Sequence, residues 1–454
     1  IDTKLGIVKL GLNLAGSRQD VEEPVTSVTG EGLMRYLTWF TRPTVPVTYA
    51  NGYYGCVDGN SNIGASVFKN PIEDLNYGRK TNQHHRFDGK VFAEVDIIKG
   101  LTFRSSLAYK YYNNEVSTYS PRSAAKYNAE GEILNPAGTQ NTLADYSWIE
   151  KSYINENILT YNNKWGEHNL SVLVGHSIQE NRWDMTNISK QGFPTDNIYE
   201  MDGGSQNDQV SGSAEETRLQ SFFGRINYNY GDRYLAEFNI RRDGSSRLPS
   251  SNRYATFPSF SAAWIISNEA FMQNIKWLSS LKLRGSWGKL GNQEIGNYAY
   301  TETLSAQGSY FFGDNKYIGM KTSKIANGNI KWETTTITDF GFDASFWGGR
   351  ISVVFDWYNK ETSDILLQLP MPSIFLGSLA APYQNAGKVR NRGWELAGNY
   401  QDRQGDWQWQ AGFSLAGVSN KIIDMNGQES ISGSTINREG YAIGSYYALK
   451  AIGL

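Results

Sequence analysis

The feature that most constrains the fold is a strict alternation of apolar and polar residues that recurs along nearly the whole chain. In residues 220–230, one set of alternate positions carries Phe222 and Ile226, while the other carries Arg225 and Asn227. Successive side chains of a β-strand point to opposite faces, so the pattern predicts strands with one apolar and one polar face. No helical repeat competes with it.

The alternation continues through short turns, which predicts antiparallel hairpins. After Gly231 and Asp232, the next segment places Tyr234 and Phe238 on the apolar face. A two-residue turn between two such runs is typical of a β-hairpin. The polar positions of this hairpin are predicted to face a water-filled lumen, where they pair across strands or hold a plug: Arg225, Asn227, Glu237, Asn239 and Arg241.

About thirteen or fourteen such strands can be counted, each near the 9 to 11 residues or so that a tilted strand needs to cross a bilayer. The first is expected at Lys4 to Leu14, and another is expected to begin at Tyr446. Short connections alternate with long ones. Short periplasmic turns and long extracellular loops are the layout of an outer-membrane barrel, so we expect an all-β, antiparallel transmembrane β-barrel.

A barrel in lipid must close, because an open edge leaves backbone groups unpaired. Bacterial single-chain barrels also have even strand numbers. We therefore expect residues 1–454 to form part of one barrel domain whose remaining strands lie outside this sequence. The first residues also lack the pattern of a signal peptide.

Composition excludes several classes of protein. Lys and Arg number 43 and Asp and Glu 45, so the formal net charge of −2 provides no basic field for nucleic acid. No run of about 18 apolar residues is present, which excludes transmembrane helices. The one cysteine, Cys56, cannot form an intrachain disulfide or supply a structural zinc site.

No constellation of residues indicates an enzyme, a metal site or a cofactor. His84 and His85 are adjacent, and adjacent side chains on a strand diverge. Asp339 and Asp343 share a strand face about 13 Å apart, too far for a glycosidase carboxylate pair, so they are interpreted as lumen-lining acids.

Aromatic residues fall into two groups. Those near strand ends on the apolar face, such as Trp264, Trp287, Trp357 and Trp394, are predicted to form an interfacial girdle. Others lie in predicted extracellular loops, where they can stack on sugar rings or pack against a partner. These candidate contacts with substrate or partner are Trp39, Tyr53, Tyr54, Phe311 and Phe312.

Many hairpin sequences, taken in order, resemble the barrel of SusC-like (SusC/RagA) TonB-dependent outer-membrane transporters. The resemblance is strongest over Ser221 to Tyr447. It rests on stretches such as Phe222-Phe223-Gly224-Arg225-Ile226-Asn227-Tyr228, Arg241-Arg242-Asp243-Gly244-Ser245-Ser246-Arg247, Gly291-Asn292-Gln293-Glu294-Ile295-Gly296-Asn297-Tyr298, Asn329-Ile330-Lys331-Trp332-Glu333 and Asn385-Ala386-Gly387-Lys388-Val389-Arg390-Asn391-Arg392-Gly393-Trp394-Glu395.

The resemblance implies a barrel of about 22 strands around an N-terminal plug. It also implies a TonB box contacted by TonB-ExbB-ExbD, a SusD-like surface lipoprotein, and active import of an oligosaccharide or a peptide across the outer membrane of a Gram-negative bacterium. The signal peptide, TonB box, plug and last strands are expected to lie outside this sequence.

Two alternatives stay open at this point. One is a siderophore or vitamin receptor of the same barrel size without a lid protein. The other is a secreted carbohydrate-binding or adhesive β-protein, in which strands should be shorter and the two sheet faces less unequal.

Overall fold

A computed structural model describes residues 2–23, 46–55, 70, 72, 78–122, 126–127, 131–135, 140–369, 371–377, 379–402 and 406–450. Its main feature is one antiparallel sheet of fourteen strands, in which every strand pairs with its sequence neighbours in the sheet. Among the described residues the first and last strands do not pair with each other, so the sheet is an open part of a barrel. The prediction of an all-β barrel wall of thirteen or fourteen strands is confirmed.

The strands of the main sheet, numbered here in chain order, are β1 (Asp2–Leu5), β2 (Val8–Glu23), β3 (Arg79–Ile98), β4 (Leu101–Ser120), β5 (Thr142–Trp165), β6 (His168–Gln191), β7 (Gln206–Tyr230), β8 (Tyr234–Ser245), β9 (Tyr254–Ile265), β10 (Leu278–Asn292), β11 (Glu333–Phe346), β12 (Ile351–Ser363), β13 (Lys388–Asp402) and β14 (Trp409–Asp424).

Several strands are longer than the sequence pattern indicates. Strands β5, β6 and β7 contain 24, 24 and 25 residues. At about 3.3 Å per residue they extend roughly 80 Å, well beyond the bilayer. The expectation of strands near 9 to 11 residues was wrong for these three, and also for β3 and β4, which contain 20 residues each. The upper part of β7, from Gln206 to Arg218, is mostly polar on both faces and carries no period-two signal.

The first predicted strand is also different in the structure. Instead of one strand from Lys4 to Leu14, a turn at Gly6 and Ile7 joins β1 to β2. Gly6 has a φ of 62°. This left-handed conformation is open to glycine at little cost, which explains why the chain reverses there.

The alternation of connections is confirmed. The turns that follow β3, β5, β7 and β11 are short, and the intervening connections are mostly long. The short turns are residues 99–100, 166–167, 231–233 and 347–350, and the longest connections are residues 24–78, 121–141, 293–332 and 364–387.

The long connections carry small elements of their own. The largest is a two-stranded hairpin, Thr303–Phe312 with Asn315–Lys324, which we call the loop hairpin. Ser445–Tyr446 pairs with Thr435–Asn437, so the predicted strand at Tyr446 does not join the main sheet. The remaining elements are Lys126–Tyr127 with Ile133–Asn135, Leu366–Leu367 with Gln384–Asn385, Ser430–Ser432, the α-helix Ser373–Leu376 and the 3-10 turns Met201–Gly203, Ser250–Asn252, Ile266–Asn268, Ala270–Met272 and Trp347–Gly349.

No helix within the described ranges has both the length and the apolar character that crossing a membrane requires.

One face of the main sheet exposes apolar side chains on strand after strand, as a lipid-facing surface does. Near the short turns this apolar face ends in an aromatic row that crosses five strands. In that row the ring centroids are 5.6, 4.7, 6.3 and 6.4 Å apart in sequence. Its members, direct neighbours in the strand register, are Trp165, His168, Tyr230, Tyr234 and Trp264.

A carboxylate from the adjoining turn binds the polar tips of this row. The Tyr234 hydroxyl donates to Oε1 of Glu269 at 2.6 Å, and Nε1 of Trp264 donates to the same oxygen at 2.9 Å. Arg233 lies 3.6 Å away. The hydrogen bonds from Tyr234 and Trp264, with the charge of Arg233, lower the pKa of Glu269. The turn thus satisfies the polar ends of rings whose bodies face lipid.

Replacement of Glu269 by Gln should lower the thermal midpoint of unfolding at neutral pH and change how that midpoint depends on pH. Because the folded-state pKa is lowered, the stabilisation by Glu269 is present above about pH 4.3 and is lost as pH falls through the folded value. The difference in thermal midpoint between wild type and Glu269→Gln, measured in detergent from pH 7 to pH 3, should therefore shrink as pH falls. Exposed Glu302→Gln serves as the control, and a pH-independent difference for Glu269→Gln would contradict the assignment.

The hydrophobic cores among the described residues lie where the loops fold over the strand ends. One core consists of Tyr119, Leu143 and Phe193. At its centre is Asn141, which is fully buried. Asn141 accepts a hydrogen bond from the Phe193 N–H at 2.7 Å and donates to the Phe193 carbonyl and the Tyr119 hydroxyl, each at 3.0 Å. Burial and the hydrogen bond to Asp196 raise the pKa of Tyr119 to about 12, so it stays a neutral donor.

Replacement of Asn141 by Ala should release the loop of residues 192–205. The substitution leaves the buried N–H of Phe193 without its acceptor, which costs about 1–3 kcal/mol. Limited proteolysis of intact cells should cut this loop faster in Asn141→Ala than in wild type, while exposed Asn197→Ala should behave as wild type. Equal cleavage of all three proteins would contradict this role.

Candidate functional site

The opposite face of the main sheet, here called the polar face, holds all five residues predicted to face the lumen. A depression of about 790 Å³ on this side is lined by Asn227, Glu237, Lys282 and Arg284, among others. Asn239 and Arg241 line a neighbouring depression. In the register, Asn227 lies opposite Glu237 and Arg225 lies opposite Asn239. The polar face is therefore the hollow, hydrophilic side of the wall.

Most of these predicted residues are engaged with each other or with the wall. Asn239 donates to Glu237 at 2.7 Å. Nε of Arg241 lies 2.7 and 2.9 Å from the two oxygens of Asp243, and its Nη2 donates to Ser221 at 2.8 Å. These bonds fix the direction of the side chains. Contact of any of them with a substrate or a plug stays a prediction.

The densest charge cluster on the polar face surrounds Arg284 on β10. The guanidinium group of Arg284 forms a bidentate ion pair with Asp356 on β12. Nη1 donates to Oδ1, and Nη2 donates to Oδ2 at 2.7 Å. Its Nε lies 3.3 Å from Asp343 and its Nη1 3.6 Å from Asp339. Sequence reasoning treated Asp339 and Asp343 as lumen-lining acids and missed the arginine that gathers them.

A glycine makes this pair possible. Arg284, Gly341 and Asp356 occupy one register row across three strands. The outer two are therefore about 10 Å apart at Cα, and the arginine must cross the intervening strand. A Cβ at Gly341 would lie 2.5 Å from Asp356 Oδ1 and 2.9 Å from Arg284 Cζ. Only a residue without a side chain leaves this path open.

The loop ends of β8 to β11 form a second notable site, because motifs far apart in sequence meet there. The indole N–H of Trp332 donates to the Arg253 carbonyl at 2.9 Å. Nδ2 of Asn252 donates to the carbonyls of Asn329 and Ile330. The apolar residues that pack together here, called the rim core, are Leu248, Phe257, Ile295, Ala299, Ile330 and Trp332.

The rim core was not predicted as a unit. Five of its six residues lie in or beside the segments Asp243 to Arg247, Gly291 to Tyr298 and Asn329 to Glu333, which carry the family resemblance, and the sixth, Phe257, lies on β9. Each segment was interpreted as a separate wall or turn element. Only their contacts show that they pack together at the loop ends of β8 to β11.

The candidate loop aromatics lie in different surroundings. Tyr53 stacks on Tyr127 with ring centroids 3.8 Å apart, and Tyr54 forms an isolated bridge with Thr48. Phe311 and Phe312 lie in the loop hairpin and are 60% and 66% exposed. Trp39 falls outside the described residues. The structure does not bring these residues into one described site, and their contact with substrate or partner stays a prediction.

The loop hairpin combines exposure with an ordered aromatic cluster. The ring of Phe312 lies edge-on to Tyr310 at 4.9 Å and to Tyr317 at 5.4 Å. On the other face, Phe311, Ile318 and Met320 are each at least 60% exposed. A two-stranded hairpin is only marginally stable alone in water, so these faces are suited to packing against another surface.

An open antiparallel wall with one apolar face, one polar face, an aromatic girdle and long loops on one side defines the class of transmembrane β-barrels. The family model for the TonB dependent receptor-like beta-barrel matches residues 19–445. The chain belongs to that family.

Relatives and solved structures agree with this assignment. The chain is 30% identical to TonB-dependent receptor P3 of Formosa agariphila, over 98% of the chain and 45% of that protein. It is 34% identical to TonB-dependent receptor SusC of Bacteroides thetaiotaomicron, over 53% of the chain and 26% of that protein. The predicted resemblance to SusC-like receptors is confirmed.

The fold is also that of the RagAB peptide transporter structure, with a TM-score of 0.79 and 24% identity over 97% of this chain and 48% of that one. At this identity the likeness shows the fold alone. The chain spans about half the length of the receptor P3 and of the RagAB chain that it matches. The family is one of receptors and transporters.

Replacement of Gly341 by Ala should destabilise the barrel by about 1–3 kcal/mol, because the new methyl group overlaps Asp356 and the Phe355 carbonyl. Thermal unfolding in detergent measures the loss. Gly224→Ala is the matched control, since a Cβ at this strand position would meet no atom closer than 3.6 Å. Equal stability of the two variants would contradict the crossing of the arginine over β11.

Proposed function

We propose that this chain is the barrel wall and part of the extracellular rim of a TonB-dependent importer that moves a nutrient across the outer membrane of a Gram-negative bacterium. The proposed nutrient is an oligosaccharide, with a peptide as the second candidate. A SusD-like lipoprotein is the proposed surface partner, and TonB-ExbB-ExbD the proposed source of energy.

The observation that carries the proposal is the contrast between the two faces of the sheet. One face is apolar and ends in an aromatic row, and the other is hydrophilic and hollow. Hydroxyl-rich solutes lose little hydration along a wall of amides, hydroxyls and charges, whereas apolar solutes gain nothing there. A polar substrate therefore fits the lumen of this wall.

The choice of oligosaccharide over peptide rests on the SusC-like resemblance. The identity to SusC is 34%. The structure described as a peptide transporter is 24% identical, which supports peptide as the second candidate. A siderophore or vitamin receptor ranks lower, since the motifs that match are those of SusC-like barrels. An adhesive β-protein ranks lowest, because the strands are long and the two faces unequal.

The proposal of a surface partner is supported by the loop hairpin and the rim core. The rim core packs at the base of the connections between β8 and β9 and between β10 and β11. The loop hairpin belongs to the second of these connections and exposes apolar residues on both of its faces. Aromatic residues are enriched at protein interfaces because they bury much area at little entropic cost. A lipoprotein lid would cover them.

In the proposed mechanism the residues of this chain bind and orient rather than react. The hydrogen-bonded pairs on the polar face keep their side chains against the wall, so that a plug can move past them. The carboxylates that Arg284 holds in place lie at a fixed position on the wall, where they are available to bind a plug. Energised TonB would displace or remodel that plug, and the substrate would pass along the polar face.

Energised uptake is the test. Cells that express the whole protein with its proposed SusD-like partner should accumulate labelled oligosaccharides, and a protonophore or loss of TonB should abolish accumulation. Cells without the receptor are the matched control. Accumulation that continues without TonB would overturn the importer, and TonB-dependent uptake of peptides alone would replace the oligosaccharide by a peptide.

A further inference from the structure

The outer surface of β13 and β14 carries a cluster of cations on the loop side of the apolar face. Its members lie on the same face of the sheet as Trp394, which belongs to the apolar face and is 42% exposed. We call this group the basic patch: Lys388, Arg390, Arg392 and Lys421.

The register gives the height of the basic patch above the aromatic residues. Trp357 and Trp394 are directly opposite each other on β12 and β13. Moving away from the short turns, the next outward position on β13 is Arg392 and the one after it Arg390. At two residues per step these lie about 7 and 13 Å from the tryptophan pair along the tilted strand, toward the loops. Tryptophans mark the headgroup level, so the cations lie at and just above it.

Two carboxylates of the described strands lie beside the four cations of the basic patch and balance only part of its charge. Glu361 lies 2.6 Å from Lys388 and 2.8 Å from Arg390. Asp424 is opposite Lys388 in the register. Arg392 donates to the neutral side chain of Asn359 at 2.8 Å. Lys421 lies directly opposite Arg390 in the register. Like charges placed opposite each other destabilise a sheet unless an anion lies between them.

The corresponding level of β6 and β7 shows that this imbalance is local. There, Arg182 pairs with Asp184 at 2.8 Å, and Arg218 pairs with Glu216 at 2.7 Å and Glu180 at 3.1 Å. The whole sequence has a net charge of −2. The basic patch is therefore not a consequence of a basic protein.

We infer that the basic patch binds the phosphate groups of a phosphorylated glycolipid in the outer leaflet. The inference rests on the proposed outer-membrane position of the chain. The patch is continuous with the lipid-facing surface below it, where the acyl chains of such a lipid would lie. Guanidinium groups match phosphate oxygens with two parallel hydrogen bonds, and the positive charge complements an anionic headgroup.

The test uses the whole protein in neutral detergent, titrated with bis-phosphorylated lipid A while bound lipid is counted by native mass spectrometry. Arg390→Gln with Arg392→Gln should weaken binding roughly 25-fold, at about five-fold per cation near a charged surface. Arg182→Gln with Arg218→Gln removes two guanidinium groups that are paired with carboxylates, and should leave binding unchanged. Equal losses in the two double variants would overturn the inference.

Two further arms separate charge recognition from damage to the fold. Glu361→Gln removes the carboxylate that competes for Lys388 and Arg390, so binding should become tighter by about five-fold; a loss would overturn the inference. Lipid A without phosphates should bind wild type as weakly as the Arg390/Arg392 variant does, and equal binding of both lipids to wild type would also overturn it. Inorganic phosphate at the same concentration should not compete, because it lacks the acyl chains that hold the lipid against the wall; full competition would make the site one for free phosphate.

These measurements need no transport. A protein that binds the glycolipid but imports nothing would overturn the proposed function and leave the inference intact. A protein that imports its substrate but whose basic patch does not bind the phosphates would overturn the inference and leave the proposed function intact.

Discussion

The structure depends on one constraint, which is that every backbone N–H and C=O at the level of the lipid must find a partner in the neighbouring strand. The main sheet meets it with ladders that are continuous through their middle. Where the register shifts, it does so within a few residues of a strand end, as between Asp96 and Ile98 or Leu278 and Ser280. Lipid supplies no hydrogen bond that could replace a lost one, so irregular backbone is confined to the water-exposed ends. The apolar face, the aromatic row and the polar face all follow from this fixed register.

Much of the wall could be predicted from sequence, because its signals are local. Alternation assigned Phe222 and Ile226 to one face and Arg225 and Asn227 to the other, and the short turns followed from residues such as Gly231. The upper halves of β6 and β7 were missed for different reasons. In β7 both faces meet water above the bilayer, so polar residues such as Gln206 to Gln209 follow one another, and the period-two contrast disappears although the strand continues. In β6 the contrast persists, because Arg182 and Asp184 alternate with Trp183 and Met185, but it was overlooked among the polar residues around it.

The candidate sites were harder to predict, since they depend on which strands are neighbours and in which register. Nothing in the sequence around Gly341 indicates that Arg284 crosses it to reach Asp356. The rim core likewise joins Leu248 from one connection to Ile295 and Trp332 from the two ends of another. Motifs recognised one by one gave family membership, but the spatial arrangement that explains them appeared only when the strands were paired.

The unequal strand lengths divide the loop-side edge of this wall into two kinds of structure. Strands β3 to β7 contain 20 to 25 residues, whereas β8 to β14 contain 12 to 16. A difference of about eight residues amounts to roughly 26 Å of strand length. Over β3 to β7 the edge consists largely of paired strands, whereas over β10 to β13 it is continued by the connections of residues 293–332 and 364–387. Ladder hydrogen bonds hold the first part in one register, so a change of shape at this edge costs less in the connections of the second.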